Sequence, residues 1–333
     1  MNWAKGFSAS YYASFIDVHT WRDVSRFEIT DGTINVSDSQ LVNSADITAI
    51  NYTGSENWIR VWLDAKQGDD SEHVPVFTGL ATSPSQEING VLTTNKLECY
   101  SVLKPAADIL LQRGWYAPAG FNGGEMIANL LGCIPAPVYI AQNAPVLTQS
   151  IIAEDGETNL SMVHKILVAI NWRIRIDGYG NVQILPKALN ASVRYSADNN
   201  DVIEPHLIVD SDWFNCPNVF RAVADDVSAV ARDDSPDSEF STIRRGREIW
   251  QEEINCDLAD MESIADYAYR MLKENQQKAV TIQYDRRYNP DITVGDIVSL
   301  HYPKQGIEGD YRITSQTIGL SYGAKTSDEV ILA

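Results

Sequence analysis

The sequence contains few of the residues that hold metals or form disulfides, with four cysteines and five histidines in 333 residues. The cysteines are far apart and form no CxxC pair: Cys99, Cys133, Cys216 and Cys256. The histidines lie in no HExxH motif and not beside a cysteine at ligand spacing: His19, His73, His164, His206 and His301. We therefore expect buried free thiols, packing roles for histidines such as His164, and neither a metal nor a cofactor.

The chain is also poor in basic charge. Its 26 Lys and Arg are outnumbered by 45 Asp and Glu, which gives a formal net charge of −19. A protein that grips nucleic acid through its phosphates needs a basic surface, so the composition argues against that class of function. The acidic surplus is compatible with a surface that DNA passes without sticking, and equally with simple solubility.

No apolar run is long enough to cross a membrane, which takes about 18 consecutive apolar residues. The longest candidate, MVHKILVAINWRIRI, is interrupted by His164, Lys165 and Arg173. The N-terminus lacks a basic stretch followed by an apolar one, so no signal peptide is predicted. We expect the protein to be made in the cytoplasm and kept there until it is assembled or released.

Motifs that carry catalysis are missing as well. No GxSxG elbow is present, and GFNGG is not followed by the Gly-Lys-Ser/Thr of a phosphate loop. General acid–base catalysis needs two carboxyl groups held in different environments inside a cleft. The paired carboxylates lie instead in stretches predicted as exposed loops: Asp69 and Asp70, Asp225 and Asp226, Asp233 and Asp234. The sequence therefore predicts no enzyme.

Short strands with period-two alternation dominate residues 1–103. In NWIRVWLD, for example, Ile59, Val61 and Leu63 fall on one face and the intervening residues on the other. Asp-Gly and Asn-Ser turns separate such stretches. This pattern is typical of an antiparallel meander or barrel, and we predict a first small β-barrel domain over these residues.

The middle of the chain mixes helical and strand patterns. Residues 104–150 predict a helical, turn-rich connector, with one helix in GGEMIANLLGCI. Residues 151–224 predict an inserted α+β domain, in which an amphipathic helix can be capped by Thr158 or Asn159. The helix is followed by NWRIRIDGYGNVQILP, which is typical of a β-hairpin with a Gly-rich turn. NVFRAVA is predicted as the strand that leaves this domain.

The last third contains a polar segment, a helix and more strands. Residues 225–247 are acidic and predict a long exposed loop. Residues 248–333 predict a helix, with Asp257 or Asp260 as its cap, and then a second small barrel in which residues 290–332 form four strands. The fold class is therefore α+β, mainly β, with two small antiparallel β-barrels and inserted helix–hairpin units.

Tryptophans near predicted turns offer a different kind of site. Exposed aromatic rings stack on sugars or form hot spots at protein interfaces. Trp58 and Trp172 are predicted as core residues. Trp115 and Trp213 remain open between turn anchoring and a contact with a glycan or a protein.

The order of elements near the C-terminus is informative. Pro290, Gly295 and Asp296 in PDITVGD lead into the last predicted barrel, and Gly309 and Tyr311 begin the following strand in GDYRITSQTIGLSYG. With the upstream helix and hairpin, this succession resembles phage tail and baseplate hub proteins. These include the late control protein D family and the N-terminal hub region of tail-tip proteins. The likeness covers nearly the whole chain as an order of elements, with short motifs.

The resemblance implies a homotrimer that assembles into a ring of pseudo-sixfold character within the virion. Such a ring joins a sixfold tail tube to a threefold spike or tip and surrounds a channel for DNA, without chemistry of its own. No peptidase or lysozyme domain follows the hub before Ala333, so cell-wall degradation is not implied. The alternatives are a carbohydrate- or receptor-binding module of the tail tip, and a cell-wall hydrolase.

Overall fold

Strands predominate in the structure, as the period-two alternation predicts. The computed structural model describes residues 1–37, 43–50, 52–54, 56–187, 192–198, 206–224, 226–254, 256, 262–323 and 325–333. Within these residues, one sheet of twelve strands is accompanied by three smaller sheets. The large sheet has two parts of six strands each, separated along the chain by the helices.

The first part of the large sheet is a closed circuit of hydrogen-bonded strands, which we call the closed region. Its strands are β1 Ser8–Asp17, β2 Arg22–Ser37, β3 Ser44–Ile50, β4 Glu56–Gln67, β5 Asp70–Asn89 and β6 Leu92–Ser101. The order is β1–β4–β5–β6–β3–β2, and β2 pairs back with β1, for example at Ala13 and Phe27. Ile59, Val61 and Leu63 of β4 are all buried inside, as the alternation predicts.

An inserted unit packs helices against a small sheet. Its elements are α1 Lys104–Asp108, β7 Tyr116–Ala117, α2 Gly123–Leu130, β8 Val138–Ile140, β9 Ile151–Ile152, α3 Asn159–Ala169, β10 Trp172–Ile176 and β11 Val182–Pro186. Strands β10 and β11 form the predicted hairpin, and β8 extends it in parallel. One apolar core, which contains Ile127, Ile166 and Trp172, joins the helices to this sheet.

Helix α3 begins at a capping box. Thr158 Oγ1 accepts a hydrogen bond from Ser161 N at 3.1 Å, and Ser161 Oγ accepts one from Thr158 N at 2.9 Å. Two backbone N–H groups that the first helical turn leaves open are thereby satisfied. Of the two predicted caps, Thr158 is therefore the cap and Asn159 is the first helical residue.

The second part of the large sheet, here called the terminal region, is open among the described residues, whereas the sequence predicted a second barrel here. Its strands are β12 Val193–Asp198, β13 Leu207–Ser211, β17 Val280–Arg286, β18 Ile297–Tyr302, β19 Ile307–Gly319 and β20 Thr326–Leu332. They follow the order β12–β18–β19–β20–β17–β13. The prediction of four strands over residues 290–332 is wrong: three are present, because β19 runs without a break through 13 residues.

Strand β19 also joins the two parts of the large sheet. Its last residues, from Ser315 to Gly319, pair antiparallel with the end of β2, from Ser37 back to Thr33. Ile318 lies opposite Ile34 there, and both side chains are buried in the core of the closed region. The two parts therefore share one continuous hydrogen-bonded sheet.

A helix and a third small sheet lie between β13 and β17 in the sequence. The elements are β14 Val219–Ala224, β15 Val227–Arg232, α4 Thr242–Arg245, β16 Trp250–Ile254 and α5 Ile264–Gln277. β14 pairs antiparallel with β15 and parallel with β16. Tyr267, Ala268 and Leu272 of α5 pack with Phe220 and Ala222 of β14 in a core of their own.

The structure corrects the prediction of a long exposed loop over residues 225–247. Much of this segment is ordered as β15 and α4, and the backbone of β15 pairs with all of β14. Asp233 is buried, and its carboxylate is compensated by hydrogen bonds from Ser238 Oγ at 2.6 Å and from Gln276 Nε2 at 3.0 Å. The sequence prediction missed β15 because most of its residues are exposed, so its composition resembles that of a loop.

The cap of α5 also differs from the prediction. The helix begins at Ile264, and Ser263 Oγ accepts a hydrogen bond from Asp266 N at 3.1 Å. Asp257 and Asp260, which we predicted as candidate caps, lie outside the described residues. A Ser with an acidic residue three positions later is a common pattern at a helix N-terminus, and it is the pattern that caps α5.

Strand pairing divides the inserted domain predicted over residues 151–224. Its first part, through β11, belongs to the inserted unit, whereas β12 and β13 pair with β18 and β17 of the terminal region. β14 instead belongs to the sheet beneath α5. Local patterns located these strands, but they did not reveal partners about a hundred residues away.

Candidate assembly interface

Cysteine and metal chemistry have no visible site in the described part of the chain. No group of three or more His, Cys, Asp or Glu residues is placed to hold a metal ion there. All four cysteines are free, as predicted, and Cys133 alone is only partly buried. Burial raises the pKa of the Cys216 thiol to about 11, so this thiol is protonated at neutral pH.

The paired carboxylates are separated or solvent-exposed. Asp69 lies in the turn between β4 and β5, Asp70 is the first residue of β5, and both are exposed. Asp225 lies outside the described residues. Burial tends to raise the pKa of Asp233, but the hydrogen bond from Ser238 and the charge of Lys273 outweigh it, so this pKa is lowered. A buried carboxylate held ionised by fixed donors is a structural feature and not an acid–base pair.

The histidines are placed apart from one another. His164, predicted as a partly buried packing residue, lies instead on the exposed side of α3. Partial desolvation of its ring against neighbouring groups, followed by the charge of Lys187, lowers the pKa of His164, so the neutral form predominates at pH 7. His301 is exposed on β18, with Nδ1 3.1 Å from Glu308 Oε1.

The two tryptophans left open by the sequence have different environments. Trp115 is partly buried and packs against the core of the inserted unit. Trp213 is exposed and stacks on Phe240, with ring centroids 5.2 Å apart. Phe214 beside it is also exposed, and the Arg247 guanidinium lies 4.3 Å from its ring centroid. The structure thus places an exposed aromatic group around Trp213, whereas Trp115 is a packing residue.

Three of the residues that carry the resemblance, Pro290, Gly295 and Asp296, lie in or just before a tight turn that precedes β18. Thr293 N donates to Asp296 Oδ2 at 2.9 Å, which closes the turn around the carboxylate. Gly295 N donates to Ile313 O at 2.8 Å, and Ile313 N donates to Asp296 O at 3.0 Å. Pro290 precedes this turn and is partly buried. The motif therefore fixes where β18 starts relative to β19.

Gly295 also receives a side chain from the inserted unit. Its φ is +85°, a backbone conformation that L side chains rarely adopt, and a Cβ there would lie 1.4 Å from Arg173 Nη1. Arg173 belongs to β10 of the hairpin. The glycine is therefore required twice, for the turn and for the close approach of an arginine from a different part of the molecule.

Gly309 and Tyr311 lie together on β19. Gly309 pairs with Leu300 and Tyr311 with Val298 of β18, while Tyr311 also pairs with Leu332 of β20. The Tyr311 side chain packs against the core of the terminal region, and burial raises its pKa. All five motif residues are thus found around one junction of strands, where they shape the backbone.

A buried ionic group lies nearby and has no local sequence signal. Arg286 and Asp328 are almost completely buried, and Arg286 Nε donates to Asp328 Oδ2 at 2.5 Å. Tyr284 Oη donates to the same oxygen at 2.9 Å, and Gln316 Nε2 donates to Oδ1 at 3.0 Å. Burial disfavours the charge of Arg286, but Asp328 outweighs it and the arginine pKa is raised.

A second buried arginine anchors the inserted unit to the closed region. Arg60 donates to Asp23 Oδ2 at 2.9 Å, to Thr78 Oγ1 at 3.1 Å and to Tyr179 O at 3.2 Å. Thr78 Oγ1 in turn donates to Gly178 O at 2.7 Å. The alternation placed Arg60 on the outer face of β4. The Gly-rich turn of the hairpin covers that face, and this contact cannot be read from local sequence.

Comparison with solved structures finds the same fold in phage tail proteins. A tail protein from Neisseria meningitidis MC58 has a TM-score of 0.72 at 15% identity, covering 98% of this chain and 97% of that one. The 43 kDa tail protein of prophage MuSo2 from Shewanella oneidensis has a TM-score of 0.66 at 12% identity, with 98% and 97% covered. Prophage tail protein gp18 from Listeria monocytogenes EGD-e has a TM-score of 0.57 at 10% identity, with 97% and 94% covered.

The predicted resemblance to phage tail proteins is thereby confirmed at the level of the fold. The similarity extends over nearly the full length of this chain and of the three structures. No protein-family model matches the sequence, and no curated protein matches it. Within the described residues, no helix is both long and apolar enough to span a membrane.

Proposed function

We propose that this chain is a structural subunit of the hub at the distal end of a phage tail or of a phage-derived injection machine, located in the virion. The observation that carries this proposal is the tail-protein fold, shared over almost the entire length of both chains. A fold alone does not define a function. The support here is that the similarity covers 98% of this chain and 97% of each of the two tail proteins.

The proposed assembly is a ring of three copies with pseudo-sixfold character. Each chain offers two regions of six strands, joined edge to edge through β2 and β19. Three copies would supply six such regions, which suits a ring between a sixfold tail tube and a threefold spike or tip. We take the closed region and the terminal region to be the two hub domains of each subunit, with the inserted unit between them in the sequence.

The proposed ring surrounds a channel through which DNA passes. The formal charge of −19 supports an anionic wall that does not condense DNA. Structure determination of the assembled ring tests this part directly. A neutral or basic wall would refute it and leave the hub role in place. We assign no catalytic step to the chain, since assembly by packing of strands needs none.

The experiment that tests the hub role is mass in solution by light scattering, followed by negative-stain imaging of any oligomer and of particles that contain the protein. We expect a threefold ring with a central opening, either free or at the tail end of the particle. A protein that is monomeric in solution and is located away from the tail axis in particles would refute the proposal.

A second candidate, a carbohydrate- or receptor-binding module, is favoured by one observation. Trp213, which stacks on the partly buried Phe240, and its sequence neighbour Phe214 are exposed aromatic residues that could stack on a sugar ring. A glycan array with wild type, Trp213→Ala and Trp115→Ala separates the possibilities. Binding that Trp213→Ala abolishes and Trp115→Ala retains would support this function. No binding by the wild type would remove it.

A further inference from the structure

A groove of about 480 Å³ lies where three parts of the molecule meet. Helix α3 and the start of the hairpin form one side, helix α5 a second, and strands β17, β19 and β20 the floor. Its lining includes His164, Trp172, Met271, Thr314 and Ile331. The groove is absent from the sequence prediction, because its walls come from three separate segments of the chain, within residues 164–187, 270–281 and 312–331.

The groove is cation-rich in a strongly acidic protein. Five Lys or Arg side chains line it, against two glutamates: Arg173, Lys187, Arg270, Lys278 and Arg312, with Glu274 and Glu329. Glu274 Oε1 lies 3.8 Å from Lys187 Nζ and 3.5 Å from Arg270 Nη1, and Glu262, outside the groove lining, pairs with Arg270 Nε at 2.8 Å, so Arg270 is already neutralised within the chain. The local excess of positive charge contrasts with the formal net charge of −19. Charge of this sign favours an anionic occupant.

Helix α5 separates this groove from an acidic loop. Arg270, Glu274 and Lys278 face the groove, whereas Gln276 on another side of the helix donates to Asp233. Residues 234–239 follow Asp233 and carry three exposed carboxylates: Asp234, Asp237 and Glu239. Because Asp233 is held on the opposite side of α5, the loop does not fill the groove of its own chain.

We propose that this groove binds the acidic loop 234–239 of a second copy of the chain. The inference rests on the proposed ring and specifies how neighbouring copies would contact each other. Two different patches on one subunit, a groove and a loop, make a head-to-tail contact, and such contacts close into rings when the rotation permits. On this proposal, three of the exposed carboxylates of one copy bind the groove of the next copy.

Charge reversal tests the contact in the full-length protein. Lys278→Glu in the groove and Asp237→Lys in the loop should each weaken self-association about tenfold. Combining the two changes in one chain should restore association, because every reversed groove in the ring then meets a reversed loop. Lys66→Glu and Asp69→Lys, at exposed positions of the closed region, serve as matched controls and should leave the oligomer unchanged. Circular dichroism confirms that each variant is folded.

A second measurement decides the proposal even if the protein is monomeric in solution. A fluorescent peptide with the sequence of residues 232–241, RDDSPDSEFS, is titrated with the full-length protein and followed by anisotropy. We expect saturable binding that weakens as salt rises and that Lys278→Glu reduces about tenfold. Absence of binding, or binding insensitive to Lys278→Glu, overturns the inference. A ring that forms regardless of these substitutions overturns it too, and leaves the hub function intact.

Discussion

The closed region and the terminal region have equal numbers of strands but are held together differently. In the closed region every strand has a partner on both sides, and the interior is apolar, with Ala13, Ile47 and Leu97 fully buried. The terminal region is open among the described residues, with β12 and β13 at its edges. Its interior includes the ionic pair of Arg286 and Asp328.

This difference shows how two similar sheets obtain different properties. An apolar core tolerates exchange of residues of similar volume, so its packing is adaptable. A buried ion pair tolerates few substitutions, because loss of one partner leaves the other charge without compensation. We therefore expect the terminal region to define its geometry more strictly, at a point where the turn at Gly295 and the groove both depend on it.

The largest effect is expected for Asp328→Asn. This change retains the shape of the side chain but leaves the buried Arg286 without its counter-charge, which costs about 4 kcal/mol of unfolding free energy. The matched control is Asp285→Asn, whose carboxylate pairs with Lys325 at 3.4 Å near the surface. We expect less than about 1 kcal/mol there. Urea unfolding measures the free energy of both variants. Equal losses would show that the buried ion pair contributes no more to stability than the surface pair.

The corresponding change in the closed region is Leu63→Ala. Leu63 is fully buried, and its truncation removes apolar contacts and leaves a cavity, which costs about 3 kcal/mol. Leu92→Ala, at an exposed position of β6, is the control and should change stability by less than about 0.5 kcal/mol. The same unfolding titration applies. A loss much below that of Asp328→Asn would sharpen the contrast between the two interiors.

A smaller effect is expected for Gly295→Ala, at the link between the terminal region and the inserted unit. The new methyl group adopts an unfavourable backbone conformation and displaces the Arg173 guanidinium, together costing about 2 kcal/mol. Gly306→Ala is matched, since Gly306 has φ +72° with nothing within 4 Å of an added Cβ. It should cost about 1 kcal/mol. If the two variants have the same melting temperature, the close approach of Arg173 adds nothing to the cost of Gly295→Ala.

The smallest effect concerns pH and Asp233. Its pKa is lowered in the folded state, so the ionised carboxylate contributes stability above its ordinary pKa near 3.8, and this is lost as pH falls through the lowered value. Stability of the wild type should therefore decline below pH 4 more steeply than that of Asp233→Asn. Asp234→Asn, at the exposed neighbour, should follow the wild type. Parallel curves for wild type and Asp233→Asn would contradict the expectation.

Local sequence predicted much of the fold and little of the candidate interface. Alternation located the strands of the closed region, and capping chemistry located α3 at Thr158, because both depend on neighbours within a few residues. The missed strand β15 has exposed positions along most of its length, so its composition resembles that of a loop. Its identity depends on β14, which local composition does not encode.

The contacts that position the inserted unit were not predictable for the same reason. Arg60 and Arg173 reach backbone from remote segments, Arg60 to Tyr179 and Arg173 to Gly295. An arginine on a strand gives no signal of whether its outer face is covered. The sequence also gave no signal of the strand partners of Gly309 and Tyr311, which lie on β18 and β20.

The pairing of β19 with β2 has a consequence for synthesis of the chain. Thr317 Oγ1 donates to Asn35 Oδ1 at 3.0 Å across 282 residues of sequence. During translation, the end of β2 therefore emerges long before the strand that covers it, and an uncovered strand edge invites pairing with other chains. Contacts this distant in sequence also slow folding. A nascent chain should accordingly be most prone to aggregate until the covering residues Ser315–Gly319 have left the ribosome.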